Sequence, residues 1–531
     1  DALRPNAWDD AGMAPPYDVL SPGVLPEPPP SEESLDASPD APANLVMKSR
    51  RDDGESRLLI DQLVAGAATR PARDIHVYGG VHLDTALERA TEGSSYAMLG
   101  EMRLPEGVEW RDGSAFFTPS LVLIRGAHQF TGALKFDGID QTDAGGQSHT
   151  AVLPIQPWVL DYIEPEDLAR KARLVRIGNQ DEWRCELALQ VSVDGVPQQV
   201  NLAATYSTSS DTVHRHTTFP PAFQIWPNFY ADDWQAYYAY CYELQTGEDS
   251  MFMRPLGDVK ESGPYYTDDS RGRKWCEVSL LSSYPEALAC DLWVPSEGAY
   301  VSCGIALLSK PPSAQVAKAP STWAVGIDLG TTGTYLSYRA SGGAPQPMAF
   351  EARSVQVMGP PELADYSALR FADSERSEMP FLTFFHAPPE ATGHDPFLAG
   401  NILFYHLLAN PVAQDDHFSM TDLHCNLKWA NDPHTLKHAQ MFLAQACLQA
   451  NAEARAHGAG ALTWHATYPT AFSGDMRGHI QLWWKAITRQ ISELTGCTNT
   501  PETPRPEAIA SALYFAEEQS ANLDLGAVCI D

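Results

Sequence analysis

Basic residues are scarce. The 531-residue chain sets 36 Lys and Arg against 68 Asp and Glu, a formal net charge of −32. A surface of that sign repels DNA, RNA and anionic lipid, which removes nucleic acid and membrane surfaces from the expected partners. No apolar run is long enough to span a bilayer. The nine cysteines are scattered, odd in number and form no C-x-x-C pair, so a disulfide framework is not expected. Buried free thiols in a reducing, cytoplasmic setting fit that pattern. The chain also lacks G-x-x-x-x-G-K-[ST] and G-x-G-x-x-G, which excludes the P-loop and dinucleotide fingerprints. What it has is 44% hydrophobic and 10% aromatic residues, enough for several packed cores.

The composition changes along the chain. Residues 1–57 are rich in Pro, Asp, Glu and Ser ("PEPPPSEESLDASPDAPAN") and read as an extended acidic arm. Residues 58–308 read as one or two mainly-β, sandwich-like modules. In "EWRCELALQVSVDGVPQQVNLAATY", Cys185, Leu187, Leu189, Val191 and Val193 alternate with polar residues, Asp194-Gly195 supplies a hairpin turn, and Val200, Leu202 and Ala204 return. "FTPSLVLIRG" and "AYVSCGIALL" are further strands; "LLIDQLVAGA" and "PEDLARKARLV" are short helices. The aromatic segment 219–242 reads either as bulky core, the favoured assignment, or as a groove for a protein partner. His214 and His216, in "HRH", read as a polar loop rather than metal ligands. Residues 309–321, rich in Pro, Ala and Ser, read as a linker.

A new domain then opens on "WAVGIDLGTTGTYLSY". Trp323–Ile327 reads as a buried strand, Asp328 ends it, Leu329–Gly333 forms the turn, and a second strand follows. Glycines let a backbone approach an anion, and successive amides form a concavity for it. Thr331, Thr332 and Thr334 add hydroxyls. Asp328 repels a phosphate but suits a magnesium ion or its waters. Together these residues suit a magnesium-bound nucleotide; an ordinary hairpin with a Gly-Thr turn is the plain alternative.

"GIDLGTTGT" closely resembles the first phosphate loop of the Hsp70/actin-like ATPase superfamily, usually G-I-D-L-G-T-T-N-S. Residues 326–332 match letter for letter, and Gly333 and Thr334 replace Asn and Ser. Three stretches follow in the family's order. "DLHCNLKWA" puts Lys428 at the family's phosphate-proximal lysine. "ALTWHATYPTAFSGDMRGHIQLWWKAI" resembles the strand, V-P-A-Y-F turn and helix, with Ser473 as N-cap and Ile480, Trp483, Trp484 and Ile487 at helical spacing. "PEAIASALYFAEE" resembles N-E-P-T-A-A-A, with Glu507 at the catalytic-site glutamate. "LGAVCID" again closes on an aspartate, Asp531, where the family's second phosphate loop begins.

The resemblance covers residues 322–531 and implies an α/β ribonuclease-H-like lobe of actin/Hsp70 type. It implies Mg²⁺ with ATP or ADP, Gly330, Thr331 and Thr332 on the phosphates with Gly333 and Thr334 completing the loop, Asp328 and Asp531 ordering the metal, and Lys428 and Glu507 serving hydrolysis. A second lobe is expected beyond Asp531, so residues 1–531 alone are expected to bind nucleotide weakly and hydrolyse it negligibly. The expected function is a chaperone-like ATPase whose β module recognises a protein client. The alternatives are a non-enzymatic scaffold and a sugar or acetate kinase, the latter needing an acidic base such as Asp432 or Asp475.

Overall fold

The computed structural model describes residues 44–48, 98–99, 102–103, 108–125, 140–142, 148–161, 163–177, 182–193, 196–216, 221–243, 251–268, 274–294, 298–308, 310–314, 321–351, 353–358, 379–389, 391, 395–402, 422–430 and 432–517. The acidic arm (apart from 44–48), the 58–67 helix, the Asp194-Gly195 turn, the middle of the linker and Asp531 lie outside them. Among the described residues no helix is long and apolar enough to cross a membrane.

The N-terminal half is built of strands. Glu182–Val193 and Val196–Ser207 pair antiparallel in the register the alternation predicts, with Val193 opposite Val196. Cys185 and Leu187 face the interior, as the period of two requires. "PEDLARKARLV" is a helix only over Pro165–Lys171 and then becomes the strand Ala172–Ile177. Its β-branched second half has a partner strand to pair with, and that overrides helical continuity. "HRH" belongs to the strand Val213–His216, not to a loop, because it pairs in parallel with Leu121–Arg125. Two hydrophobic clusters meet at the strand pair Ala287–Val294 and Ala299–Leu307: Leu288, Cys290, Cys303 and Ala306 enter one, and Ala287, Ile305 and Leu307 enter the other. With core on both faces, these strands read as continuous apolar runs.

The aromatic segment contributes strands β1 (Ala222–Trp226) and β2 (Tyr237–Glu243), which join β3 (Val259–Asp268) and β4 (Lys274–Leu281) in the order β3-β4-β2-β1. Phe223, Trp226, Phe229, Trp234, Tyr237, Tyr238 and Tyr240 are all buried, so the segment is core. These side chains offer no surface to a partner in this state.

Past the linker, β5 (Ser321–Leu329) and β6 (Gly333–Arg339) form an antiparallel hairpin, extended by the short β7 (Gln346–Pro347). The next strand, β8 (Val355–Met358), leaves this sheet and pairs with β1 of the N-terminal half. Helix α1 (Pro433–Ala456) leads into β9 (Ala459–Tyr468), parallel to β5, and α2 (Gly474–Thr495) leads into β10 (Thr498–Pro501), parallel to β9. The sheet order is β7-β6-β5-β9-β10, and α3 (Glu507–Glu517) follows. Crossover helices are the physical route to parallel pairing. Ile327 and Leu329 face α1 and α2, whereas Gly326 and Asp328 face α3.

The two halves are welded together. One hydrophobic cluster runs from Phe223 and Tyr238 through Val325 and Leu336 to Phe442 and Trp464. Glu453 of α1, almost wholly buried, accepts hydrogen bonds from the Glu351 amide (3.0 Å) and from Arg353 Nε (3.2 Å) and Nη2 (2.9 Å), beside β8. Gln235 donates its amide to the Leu494 carbonyl at 2.7 Å, and Arg455 pairs with Asp233. Within the expected linker, residues 310–314 lie against the β half: the Tyr230 amide donates to the Pro312 carbonyl and the Ala314 amide to the Tyr230 carbonyl.

α1 is an alanine-rich helix buried over most of its length. Two of its buried amide side chains are satisfied by partners on other elements. Gln445 accepts from the Ile402 amide and donates to the Pro396 and Gly400 carbonyls. Asn451 and Asn499 exchange reciprocal 3.0 Å hydrogen bonds, and Trp464 Nε1 donates to Asn499 Oδ1 at 2.7 Å, tying α1, β9 and β10 together. The described cysteines are free, and all but Cys425 are buried.

Candidate functional site

The pairing of β5 with β6 ends at Leu329 opposite Thr334, so Gly330–Gly333 is a tip outside the ladder. A Cβ at Gly330 would lie 2.1 Å from the Gly333 carbonyl oxygen, a backbone atom. The tip therefore closes only around glycine at this position. From behind, the Thr383 amide donates to the Thr332 carbonyl at 3.0 Å. Thr334 is wholly buried and its hydroxyl bonds that of Thr383 at 2.9 Å. The expectation that Thr334 offers its hydroxyl to a ligand is thus corrected: strand alternation turns it inward. Thr331 and Thr332 remain at the surface of the tip.

The segment bearing Lys428 is fastened to this tip. Leu427–Trp429 is a single 3-10 turn entered through Asn426 in the left-handed region, φ 58°. Trp429 Nε1 donates to Thr331 Oγ1 at 3.0 Å, and its ring packs edge-on against Phe472 with centroids 5.4 Å apart. Lys428 Nζ then lies 2.8 Å from Glu507 Oε1, at the first residue of α3. The pair is at ion-pair distance but lacks hydrogen-bond alignment, since Glu507 Oε1 is buried without a directed donor. Asp328 is exposed and accepts one hydrogen bond, 2.7 Å from Thr467 Oγ1.

Six expected residues therefore gather at one end of the sheet: Asp328, Gly330, Thr331, Thr332, Lys428 and Glu507. Gly333 closes the tip and packs near Pro380. Two contributors were missed in the sequence. Trp429 anchors the lysine turn, and Thr467 orients Asp328; both stood inside the quoted stretches, but their roles depend on contacts across the sheet. Arg505 is a third. It lines a cavity of about 290 Å³ on the α3 side of the sheet, with Asp328, Tyr335, Ser337, His465 and Thr467. Burial lowers the His465 imidazole below its ordinary pKa.

The kinase candidates have other places. Asp432 caps α1, accepting from the His434 and Thr435 amides at 3.0 Å each, and the Thr435 hydrogen bonds hold its carboxyl below the ordinary range. Asp475 sits in the first turn of α2, capped by Ser473 as its sequence implies. Among the described residues, no group of three or more His, Cys, Asp or Glu side chains is arranged to hold a metal ion.

No protein-family model, curated protein or solved structure matches the chain. Its chemistry is therefore argued from this geometry.

Proposed function

We propose that residues 322–531 form an ATP-binding lobe of actin/Hsp70 type, and that the chain is a chaperone-like ATPase whose β-rich half recognises a protein partner. The observation carrying this reading is the meeting of Lys428 with Glu507 beside a tip to which Trp429 binds Thr331. Three positions expected from three separate stretches, Thr331, Lys428 and Glu507, converge on one end of one sheet. The strand order, an antiparallel hairpin whose first strand is continued by two parallel crossovers, supports the lobe assignment.

The donor set fits a magnesium nucleotide. Thr331 and Thr332 and their amides suit phosphate oxygens, Lys428 supplies a compact positive charge, and Asp328 retains an oxygen beyond the one Thr467 engages. A bound magnesium nucleotide would supply a phosphoryl group activated for transfer to water. Lys428 would exchange its contact with Glu507 for a phosphate oxygen. That would free the Glu507 carboxylate to orient a water and accept its proton. Thr467 fixes one oxygen of Asp328 by its hydrogen bond, and glycine at 330 keeps a side chain out of the tip.

The partner reading draws on the edge strand Ala172–Ile177, whose Val175 and Ile177 are exposed. An edge with apolar side chains suits an added strand. The second reading, a scaffold with a structural nucleotide, is favoured by β8. A lobe that shares a sheet and a core with the β half does not swing against it.

Titration calorimetry with Mg-ATP tests the reading. Weak saturable binding is expected, reduced at least tenfold in Asp328→Ala, Thr331→Ala and Lys428→Ala. Binding indifferent to all three changes would refute it.

A further inference from the structure

Three imidazoles meet just before the turn that carries Lys428. His434 and His438 stand four residues apart on α1, so helical geometry places them on one face. His424 comes from the two-residue strand Leu423–His424. Its ring centroid lies 3.8 Å from that of His438, the His434 centroid lies 4.4 Å from His438, and the outer pair are 5.8 Å apart. His434 is exposed, His424 half-buried, and His438 only 6% exposed. His438 Nδ1 has no hydrogen-bond partner.

A proton has no good place in this cluster. An imidazolium donates from both nitrogens, and His438 Nδ1 would then carry a buried N–H with nothing to receive it. A second proton would meet the first at ring-contact distance and be repelled. Burial, then His424 and His434, lower the His438 imidazole to about 4, and burial, then His434, lower that of His424. Among the described residues, α1 also brings Lys437, which adds to the effect on His438, and Asp432, which opposes it. Asp422 opposes it at His424. The strand Phe385–His386, whose Phe385 ring packs on His438, brings the buried His386. Lys428, Asp475 and His479 line the cleft on the flank of α1 that bears Leu436 and Ala439.

The two sides of the cluster are unequally anchored. α1 is buried without a break over residues 441–454. Leu423–His424 is the edge of a three-stranded sheet and pairs with Phe385–His386. After it come the exposed Cys425, the left-handed Asn426 and the turn Leu427–Trp429. If the rings separate, the short edge strand yields before the helix.

We infer that the three imidazoles form an acid-released latch: neutral, they hold Leu423–His424 against α1, and an added proton parts that strand from the helix and loosens the turn behind it. The release does not rest on the nucleotide reading. Its consequence does: Lys428 would be less firmly presented to phosphate in acid. An imidazole lowered by the fold favours the closed latch above its ordinary value, about 6.5, and loses that contribution as pH falls towards 4. For His438 alone, the ratio of open to closed rises about a hundredfold between about pH 7 and pH 4.

Amide hydrogen exchange on the full chain without nucleotide tests this. Peptides spanning 423–430, corrected for intrinsic rates, are expected to lose protection about tenfold or more between pH 7 and pH 4.5, while 442–452 of α1 stays within about threefold. His438→Gln is expected to hold 423–430 within about threefold over the same range. If that buried change does not fold, His434→Gln at the exposed ring takes its place, with a loss about threefold smaller than the parent's or less. Equal protection of 423–430 at both pH values overturns the latch. So does loss in step with 442–452, which is unfolding of the whole unit. So does a loss that each folded variant shares in full with the parent. With no nucleotide present, the latch and the nucleotide reading fail separately.

Discussion

Gly330→Ala is the sharpest perturbation of the hairpin tip. The added methyl carbon would sit 2.1 Å from the Gly333 carbonyl oxygen, and no side-chain rotation relieves a clash with backbone. The tip must open by about 1 Å to reach the closest contact a carbon tolerates. Two hydrogen bonds hang on its present shape, Thr383 to Thr332 and Trp429 to Thr331, both 3.0 Å. At about 1 kcal/mol net each, their loss removes about 2 kcal/mol, or about 4–8 °C of melting temperature for a unit of this size. Nucleotide suffers more. Charge-assisted bonds from the tip to phosphate are worth about 1.5–3 kcal/mol each, so misplacing two lowers affinity by about a hundredfold or more. Gly478→Ala is the control: it lies in α2 with nothing near its Cβ, and is expected to be neutral or stabilising by up to about 1 kcal/mol. Differential scanning fluorimetry and Mg-ATP titration read both effects. If Gly330→Ala melts with the parent and binds nucleotide as tightly, the closed tip is not what holds the site.

Other expectations concern the weld and the core. Asn499→Ala strands Trp464 Nε1 and the Asn451 amide in the interior and is expected to cost about 3–5 kcal/mol in urea unfolding; a loss under about 1 kcal/mol would contradict the network. Arg353→Met leaves the buried Glu453 carboxylate without its cation and is expected to cost about 3–5 kcal/mol, with Arg353→Met/Glu453→Gln recovering part of it. Asp395 is buried and pushed up to about 6, despite donors from Tyr238 and the Phe397 amide. A raised carboxyl favours the fold below its unfolded value, and that stability is lost as pH climbs through 6. Asp395→Asn should therefore gain about 2–3 kcal/mol on the parent between pH 4 and pH 7, and a parallel pH profile would refute this. His438 behaves oppositely: burial, then its neighbours His424 and His434, lower it to about 4, so its contribution is present above pH 6.5 and fades as pH falls towards 4. A His438→Gln variant should lose stability less steeply than the parent over that window in the same pH scan.

Much of the second half was legible because local rules govern it. An apolar run before Asp328, a glycine tip and Ser473 before a helical spacing each dictate structure within a few residues; the tip and the helix start appear where expected, and the strand runs one residue past Asp328 to Leu329. Glu507 opening α3 was likewise readable. Thr334 was misread because the alternation that assigns its face restarts after the tip, and only the position of Thr383 shows which face is core. "HRH" was misread because its partner strand lies about 90 residues away, a pairing no local pattern encodes.

By itself the sequence determined the glycine tip, the start of α2 and the identity of the charged groups, since backbone sterics and hydrophobic period act over neighbours. Only the tertiary structure decided that the halves share a sheet through β8, that Trp429 ties the turn bearing Lys428 to Thr331 of the tip, and that a cavity lies between α1, α2 and the sheet. Those facts depend on side-chain volumes meeting across long loops, where one residue's fit is set by partners far along the chain.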